Sequence, residues 1–230
     1  LSVATDEDNA YSIPVGHDYE GAPKQLDRDE VLKKLKPIIE KTPLIGQHLK
    51  FDRNVLANYD IHLNAIENDT MLMSYVYDPT ATRHNLDAMA SHYLNVKTTT
   101  FEDVAGKGVK QLTFNQIPLE KASDYAAEDA DITFRCYSHL KPALAKTPSL
   151  EKVLHEIELP LVPVLSDMEQ AGTLVNEDAL KVQSNNLGQR ISGLEEQAYR
   201  EAGKEFNLAS TKDLRAIFFD EMELPVVKKT

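Results

Sequence analysis

Apolar and polar positions along the chain alternate with two different periods, and the change from one to the other marks the elements. The opening LSVATDEDNAYSIPV places two short strand-like runs on either side of the acidic turn DEDN, which predicts a β-hairpin. After the polar loop HDYEGAPKQLDRD the period lengthens. DEVLKKLKPIIEK reads as an amphipathic helix, acidic at its start and basic toward its end as the helix dipole favours. TPLIGQHLKFDRNVLANYD predicts a short apolar stretch, a polar junction over 46–50 and a further helix. Helices follow in NDTMLMSYVYDP, where Asp69 stands at the N-cap position, and in HNLDAMASHYL. The stretch VKTTTFEDVAGKGVKQLTFNQIP is loop-rich, with one short helix near FEDVA.

A long helical pattern opens after Pro118 and runs to about Lys146 without a glycine. Within it Tyr125, Glu128, Asp129 and Ile132 recur at i, i+3, i+4 and i+7, so they share one face. Half of that face is acidic where an apolar stripe is expected. Ala126, Ala127 and Ala130 leave slim flanks on which the helix can pack closely. The helix alone leaves two readings open. In one, Glu128 and Asp131 face solvent and Asp129 lies at the edge of the stripe. In the other, Asp129 points into a pocket as a metal ligand with the Tyr125 hydroxyl one turn away, which requires a second carboxylate from elsewhere.

AKTPSLEK interrupts the helical pattern with Pro and Ser. Beyond it come LEKVLHEIELPLVPVLSDMEQAG, a short extended TLV, a long helix over NEDALKVQSNNLGQRISGLEEQAYREAG, and STKDLRAIFFDEM, a helix that Ser210 is placed to cap. Residues 1–146 therefore read as an α/β domain and residues 147–230 as almost wholly α.

Composition narrows the function classes only a little. With 42% hydrophobic and 27% charged residues, the chain has the balance of a soluble globular protein. Its apolar runs are too short to span a membrane, and its start has no signal-peptide pattern. A lone Cys136 excludes a disulfide within the chain, fits a reducing compartment and is assigned to core packing. The net charge of −12 argues against a protein that coats duplex DNA. It leaves room for a nucleic-acid enzyme, because carboxylates that bind cations are themselves acidic. The chain begins LSVA, without an initiator Met and inside a strand-like run, and is expected to be a fragment.

The second carboxylate is found in GQHLKFDRNVL, where Asp52 sits just inside a helix. On its own, Asp52 reads as a first-turn acid that complements the helix dipole. GQHLKFDR together with YAAEDAD resembles the second and third exonuclease motifs of bacterial family A DNA polymerases, in their 3′-5′ proofreading domain. NDTMLMSYV, RHNLDAMASHYL and TFEDVAGKGVKQLTFNQIPLEKASDYAAEDAD resemble the same domain. ELPLVPVLSDMEQAGTLVN and FNLASTKDL are similar to the stretch that leads into the polymerase thumb. The resemblance covers essentially the whole chain. It implies an α/β fold of the ribonuclease H-like 3′-5′ exonuclease type, truncated at its first strand, in residues 1–146. An all-α segment from the polymerase thumb would follow in residues 147–230.

Residue by residue, the resemblance implies Asp52 and Asp129 as metal carboxylates and Tyr125 as the group that hydrogen-bonds the attacking water. Phe101 corresponds to an aromatic packed on frayed 3′-terminal bases, and Arg83 lies in a stretch near the substrate phosphate. From the residues alone, Phe101 fits a core position equally well and Arg83 a pairing residue at a helix start. His48 stands where the family usually has Asn, and Phe51 where it often has Tyr, which implies altered contacts with the DNA strand and intact ligation. His48, counted among the substrate-binding positions, reads first as a polar group at the start of the helix and second as an extra metal ligand. The family further implies Mg²⁺ with Mn²⁺ as a substitute, DNA with a single-stranded or frayed 3′ end as partner, no membrane, a monomer, and a bacterial cytoplasmic location at the nucleoid. Its first motif, an Asp-x-Glu, is expected upstream of Leu1, and Asp6, Glu7 and Asp8 are read as exposed turn residues. The 230 residues are accordingly expected to bind metal weakly, to show little or no nuclease activity and to be unable to polymerise. Two other readings are a 3′-5′ exoribonuclease, against which the thumb-like tail speaks, and a degenerate exonuclease domain kept as a scaffold.

Overall fold

A computed structural model describes residues 1–7 and 9–225. The chain divides into two compact units, Leu1–Gly172 and Thr173–Thr230. The first begins with the expected hairpin: β1 (Ser2–Ala4) and β2 (Ala10–Ser12) are antiparallel, with Ser2 opposite Ser12. In the turn Asp6 and Glu7 are exposed, Asp6 accepting from Asn9 Nδ2 at 2.8 Å, while Asp8 lies outside the described residues. Helix α1 (Arg28–Ile39) is capped by Asp27, whose carboxylate accepts from the Glu30 amide at 3.0 Å.

A second two-stranded sheet pairs β3 (Leu44–Gly46) in parallel with β4 (Ile66–Asp69). The sequence pattern did not announce β4, because IEND carries a single large apolar residue; its Asn68 and Asp69 are nonetheless buried. Between the strands lies α2 (Leu49–Ala57), and β4 runs directly into α3 (Thr70–Tyr77). Next come α4 (Leu86–Met89), continued by a π-turn over Ala90–Leu94, the short α5 (Phe101–Ala105), and the long α6 (Leu119–Leu144).

Helix α6 packs against both strands of the hairpin, against β3 and against α3. Its buried face supplies Ile132, Cys136, Tyr137, Leu140 and Leu144 to one core with Met73, Met89 and Ala90. Burial pushes the Cys136 thiol up to about 11, as expected of a packing residue. A smaller core joins Leu32 of α1 to Leu49 and Leu56 of α2 and to Ile61 and Leu63.

The break at 146/147 is a corner inside this first unit. Pro148 opens α7 (Pro148–Val153), and a π-turn over Leu154–Glu158 leads into α8 (Leu159–Ala171). Leu154 and Leu159 join the large core. Polar contacts clamp α8 onto α2: Arg53 Nη1 lies 2.8 Å from Asp167 Oδ1, Asn54 Nδ2 donates to Glu169 Oε2 at 2.8 Å, and the buried Ser166 donates to Asn54 Oδ1 at 2.5 Å.

In the second unit, residues 173–175 form no regular strand, and α9 (Glu177–Ala202) follows. Asn176 caps α9 by accepting from the Ala179 amide at 3.0 Å. Helix α10 (Thr211–Arg215) starts at Ser210, whose hydroxyl accepts from the Asp213 amide at 3.2 Å. Among the described residues no helix is long and apolar enough to cross a membrane.

Candidate active site

The acidic face of α6 is built into the surrounding structure. Tyr125 and Asp129 lie one turn apart on the same face of α6, close enough for each to shift the titration of the other. Burial, with the charges of Asp87 and Glu128 adding to it and the nearby Tyr125 hydroxyl opposing it, pushes the Asp129 carboxyl up to about 6. The Tyr125 hydroxyl is held well above its ordinary value by burial and by the charge of Asp129. It is therefore neutral across physiological pH.

Glu128 is not a solvated acid. Its Oε2 accepts from the Thr99 amide at 2.9 Å and so pins the loop that leads into α5. Thr100 and Asp103 close that helix start reciprocally: Thr100 N donates to Asp103 Oδ2 at 3.0 Å and Asp103 N to Thr100 Oγ1 at 3.3 Å. This fixes Phe101, the first residue of α5, edge-on to Tyr125 with ring centres 6.3 Å apart. Phe101 is 36% exposed, so it is not a core residue. The Phe114 ring centre also stands 6.3 Å from that of Tyr125, and Phe114 is 40% exposed, giving a second aromatic beside the Tyr125 ring. Asp131 pairs with Arg135 at 3.4 Å. Asp87, half-buried on α4, accepts from Thr98 Oγ1 at 2.8 Å.

Asp52 lies on the first turn of α2. Its side chain keeps solvent access, yet the protein atoms crowded around it raise its carboxyl; its own backbone amide and the imidazole of His48 oppose the rise, and the charge of Asp69 adds to it. The turn into α2 is tight. A Cβ at Gly46 would meet Leu49 Cδ2 at 2.3 Å, and His48 adopts a left-handed conformation, φ 60 and ψ 45. The exposed His48 ring stacks on Phe51, itself 63% exposed, at 6.4 Å. Gln47 reaches the other way, donating to the His84 carbonyl at 2.9 Å and accepting from Thr70 Oγ1 at 2.5 Å. Arg83, next to His84, is exposed, and none of the ion pairs among the described residues includes it.

Of the residues expected from sequence, Tyr125, Asp129 and Phe101 come together on α6 and α5. Asp52 and His48 form a second group on α2. Arg83 sits on the loop that Gln47 ties to α2. Asp87, Phe114 and the tether made by Glu128 carry no signal in the sequence, since each acquires its place through a contact between separate elements. The carboxylates offer hard oxygen donors, and Asp129, raised mainly by burial and further by the charges of Asp87 and Glu128, lacks a compensating cationic side chain among the described residues, so a divalent cation fits them in kind. In number they fall short: among the described residues no group of three His, Cys, Asp or Glu is placed to hold a metal ion.

Comparison with known proteins places this arrangement. Residues 2–145 match the 3′-5′ exonuclease family model, and residues 177–230 match that of DNA polymerase family A. The chain belongs to the 3′-5′ exonuclease family. It is 52% identical to DNA polymerase I of Pseudomonas aeruginosa over its whole length, covering 26% of that protein. To DNA polymerase I of Rhizobium leguminosarum it is 37% identical over 91% of its length, covering 21% of that relative. Among solved structures it is similar to the POL domain of Pol1 from M. smegmatis in complex with DNA primer-template and dNTP. The TM-score there is 0.65 at 27% identity, covering 90% of this chain and 32% of that one. The chain thus spans about a fifth to a quarter of the length of these curated polymerases. Its first part is the mixed α/β, ribonuclease H-like exonuclease domain of the family, a helical segment follows, and the family uses divalent metals.

Proposed function

We propose that this chain is the 3′-5′ exonuclease domain and the start of the thumb of a bacterial DNA polymerase I, the exonuclease domain proper ending near 146/147 and the helices up to Gly172 packing onto it. In the full-length protein, the exonuclease part would remove 3′-terminal deoxynucleotides from single-stranded or frayed DNA as a proofreading step. The observation that carries this reading is the Tyr125–Asp129 pair, flanked by exposed Phe101 and Phe114, within the segment that matches the exonuclease family.

The residues divide the work. A divalent metal, Mg²⁺ or Mn²⁺, held by Asp52 and Asp129 with further carboxylates, would activate water and stabilise the leaving 3′-oxygen. Tyr125, neutral and one turn from Asp129, would hydrogen-bond the attacking water and fix its direction. Because the hydroxyl stays neutral, it orients the water and does not serve as a base. Phe101 offers a face on which an unpaired base can stack, a contact that a paired end does not reach without unpairing. Arg83, exposed and unpaired, supplies a guanidinium for the substrate phosphate, and His48 a ring for the strand.

The 230 residues alone are expected to hold a cation weakly, since two carboxylates fill few positions of the octahedral oxygen shell that Mg²⁺ takes, and among the described residues no group of three candidate ligands is placed to hold it. They are expected to release little or no nucleotide. The working form would be a monomer in the bacterial cytoplasm, acting at the nucleoid. The experiment is to follow metal-dependent release of 3′-terminal nucleotides from a single-stranded oligonucleotide by the full-length protein, its Tyr125→Phe variant and the 230-residue chain. Tyr125→Phe should lower the rate with little change in oligonucleotide affinity. Robust release by the 230-residue chain would overturn the assignment of its inactivity.

A further inference from the structure

Asp69 is 1% exposed and forms no ion pair among the described residues. A buried carboxylate in that position is costly unless hydrogen bonds replace its water. Four backbone amides do so. Oδ1 accepts from Met71 at 2.9 Å and Leu72 at 3.4 Å, which is the N-cap of α3 expected from sequence. Oδ1 also accepts from His48 at 3.1 Å, and Oδ2 from Leu49 at 2.8 Å, across a separation of 20 residues. One carboxylate therefore faces the first turns of two helices, and its charge is met by both helix dipoles.

Helix α2 depends on this arrangement. Its own cap residue, His48, makes no side-chain cap bond and sits in the left-handed region, a conformation that costs a non-glycine residue roughly 1 kcal/mol or more. The parallel register sets Gly46 opposite Asp69, which brings the carboxylate to the turn. Thr70 Oγ1 reinforces the junction through Gly46 O at 3.2 Å. Asp52 lies on the turn so held, three residues after Leu49.

Resting on the assignment of Asp52 to the exonuclease site, we propose that Asp69 is the positioning residue for Asp52, fixing the first turn of α2 through the Leu49 and His48 amides. The carboxylate touches neither substrate nor the reacting atoms; it acts through the backbone. Asp69→Asn distinguishes its two tasks. An asparagine that keeps its oxygen at the Oδ1 position retains the three amides gathered there and turns its NH₂ toward the Leu49 N–H, donor against donor. The Leu49 bond to the first turn of α2 is lost, while the His48 bond and the α3 cap survive.

The test uses the full-length protein as wild type, Asp69→Asn, and Leu140→Ala, a core control distant in sequence from both caps and outside the proposed site. Amide hydrogen exchange is read over residues 48–52 and 71–74, with 3′-terminal release and primer extension on the same samples. For Asp69→Asn, exchange over 48–52 should quicken at least about tenfold with 71–74 little changed. The release kcat should fall about tenfold or more, with the oligonucleotide KM within about twofold and primer extension unaltered. Leu140→Ala should lower the melting temperature without this pattern. Unchanged exchange over 48–52, unchanged kcat despite quickened exchange, or the same pattern in Leu140→Ala would each overturn the proposal. If the wild type releases no nucleotide, the exonuclease reading itself has failed, and the exchange pattern still accepts or rejects the hold of Asp69 on α2.

Discussion

At Asp129 a partly buried carboxylate sits near Asp87 and Glu128, and its carboxyl is pushed up to about 6 from 3.8. Between those values the folded state holds more protons than the unfolded chain. Without metal, stability therefore falls as pH rises through this window, and the full penalty is present above pH 6. Asp129→Asn should stabilise chelator-treated protein at pH 7 by about 1 kcal/mol, a figure below the full conversion of the shift because the group is screened by solvent. The gain should vanish below about pH 4, and urea melts at the two pH values measure it. A residue that lowers stability where it stands and is kept beside a neutral tyrosine has the profile of a functional group. His48 presents a second local cost, its φ of 60. Asn adopts that conformation more readily, so His48→Asn should stabilise the protein by about 0.5 kcal/mol in the same melts, with the Asp69 bonds intact.

Among the elements, those with a periodic pattern and a local cap were legible in the sequence: the hairpin, α1, α3 with Asp69, α6, α9 and Ser210 at α10. Strand β4 was not, because IEND shows neither alternation nor an apolar run and is held by its parallel partner and the buried Asp69. The site divides in the same way. Asp52, Tyr125 and Asp129 stood out through their motifs. The Glu128 tether to Thr99, the place of Asp87 and the second cap made by Asp69 come from contacts that no sequence spacing encodes. The docking of α7 and α8 is likewise non-local, made by Leu154 and Leu159 in the core and by Arg53, Asn54 and Ser166 at the surface of α2. A chain ending at Gly172 should therefore unfold in one cooperative transition. One ending at Lys146 should lose about 3–6 kcal/mol from the two leucines alone, or fail to give a cooperative melt.

For the whole molecule, an acidic chain with a net charge of −12 is compatible with work on DNA if cations mediate the approach to phosphate. The two compact units correspond to two family matches, one exonuclease and one polymerase, within relatives several times longer. We propose that Asp52 and Asp129 together form the working part of a proofreading site in the full-length protein. The measurement that bears on it most directly is the rate of 3′-terminal nucleotide release by the full-length protein, compared with its Asp52→Asn and Asp129→Asn variants, with primer extension on the same samples. Each substitution should cut release about 100-fold or more while primer extension continues at the wild-type rate, because removing one ligand carboxylate withdraws several kcal/mol of charge stabilisation from the nuclease reaction alone. Release that persists at the wild-type rate in both variants would contradict the account.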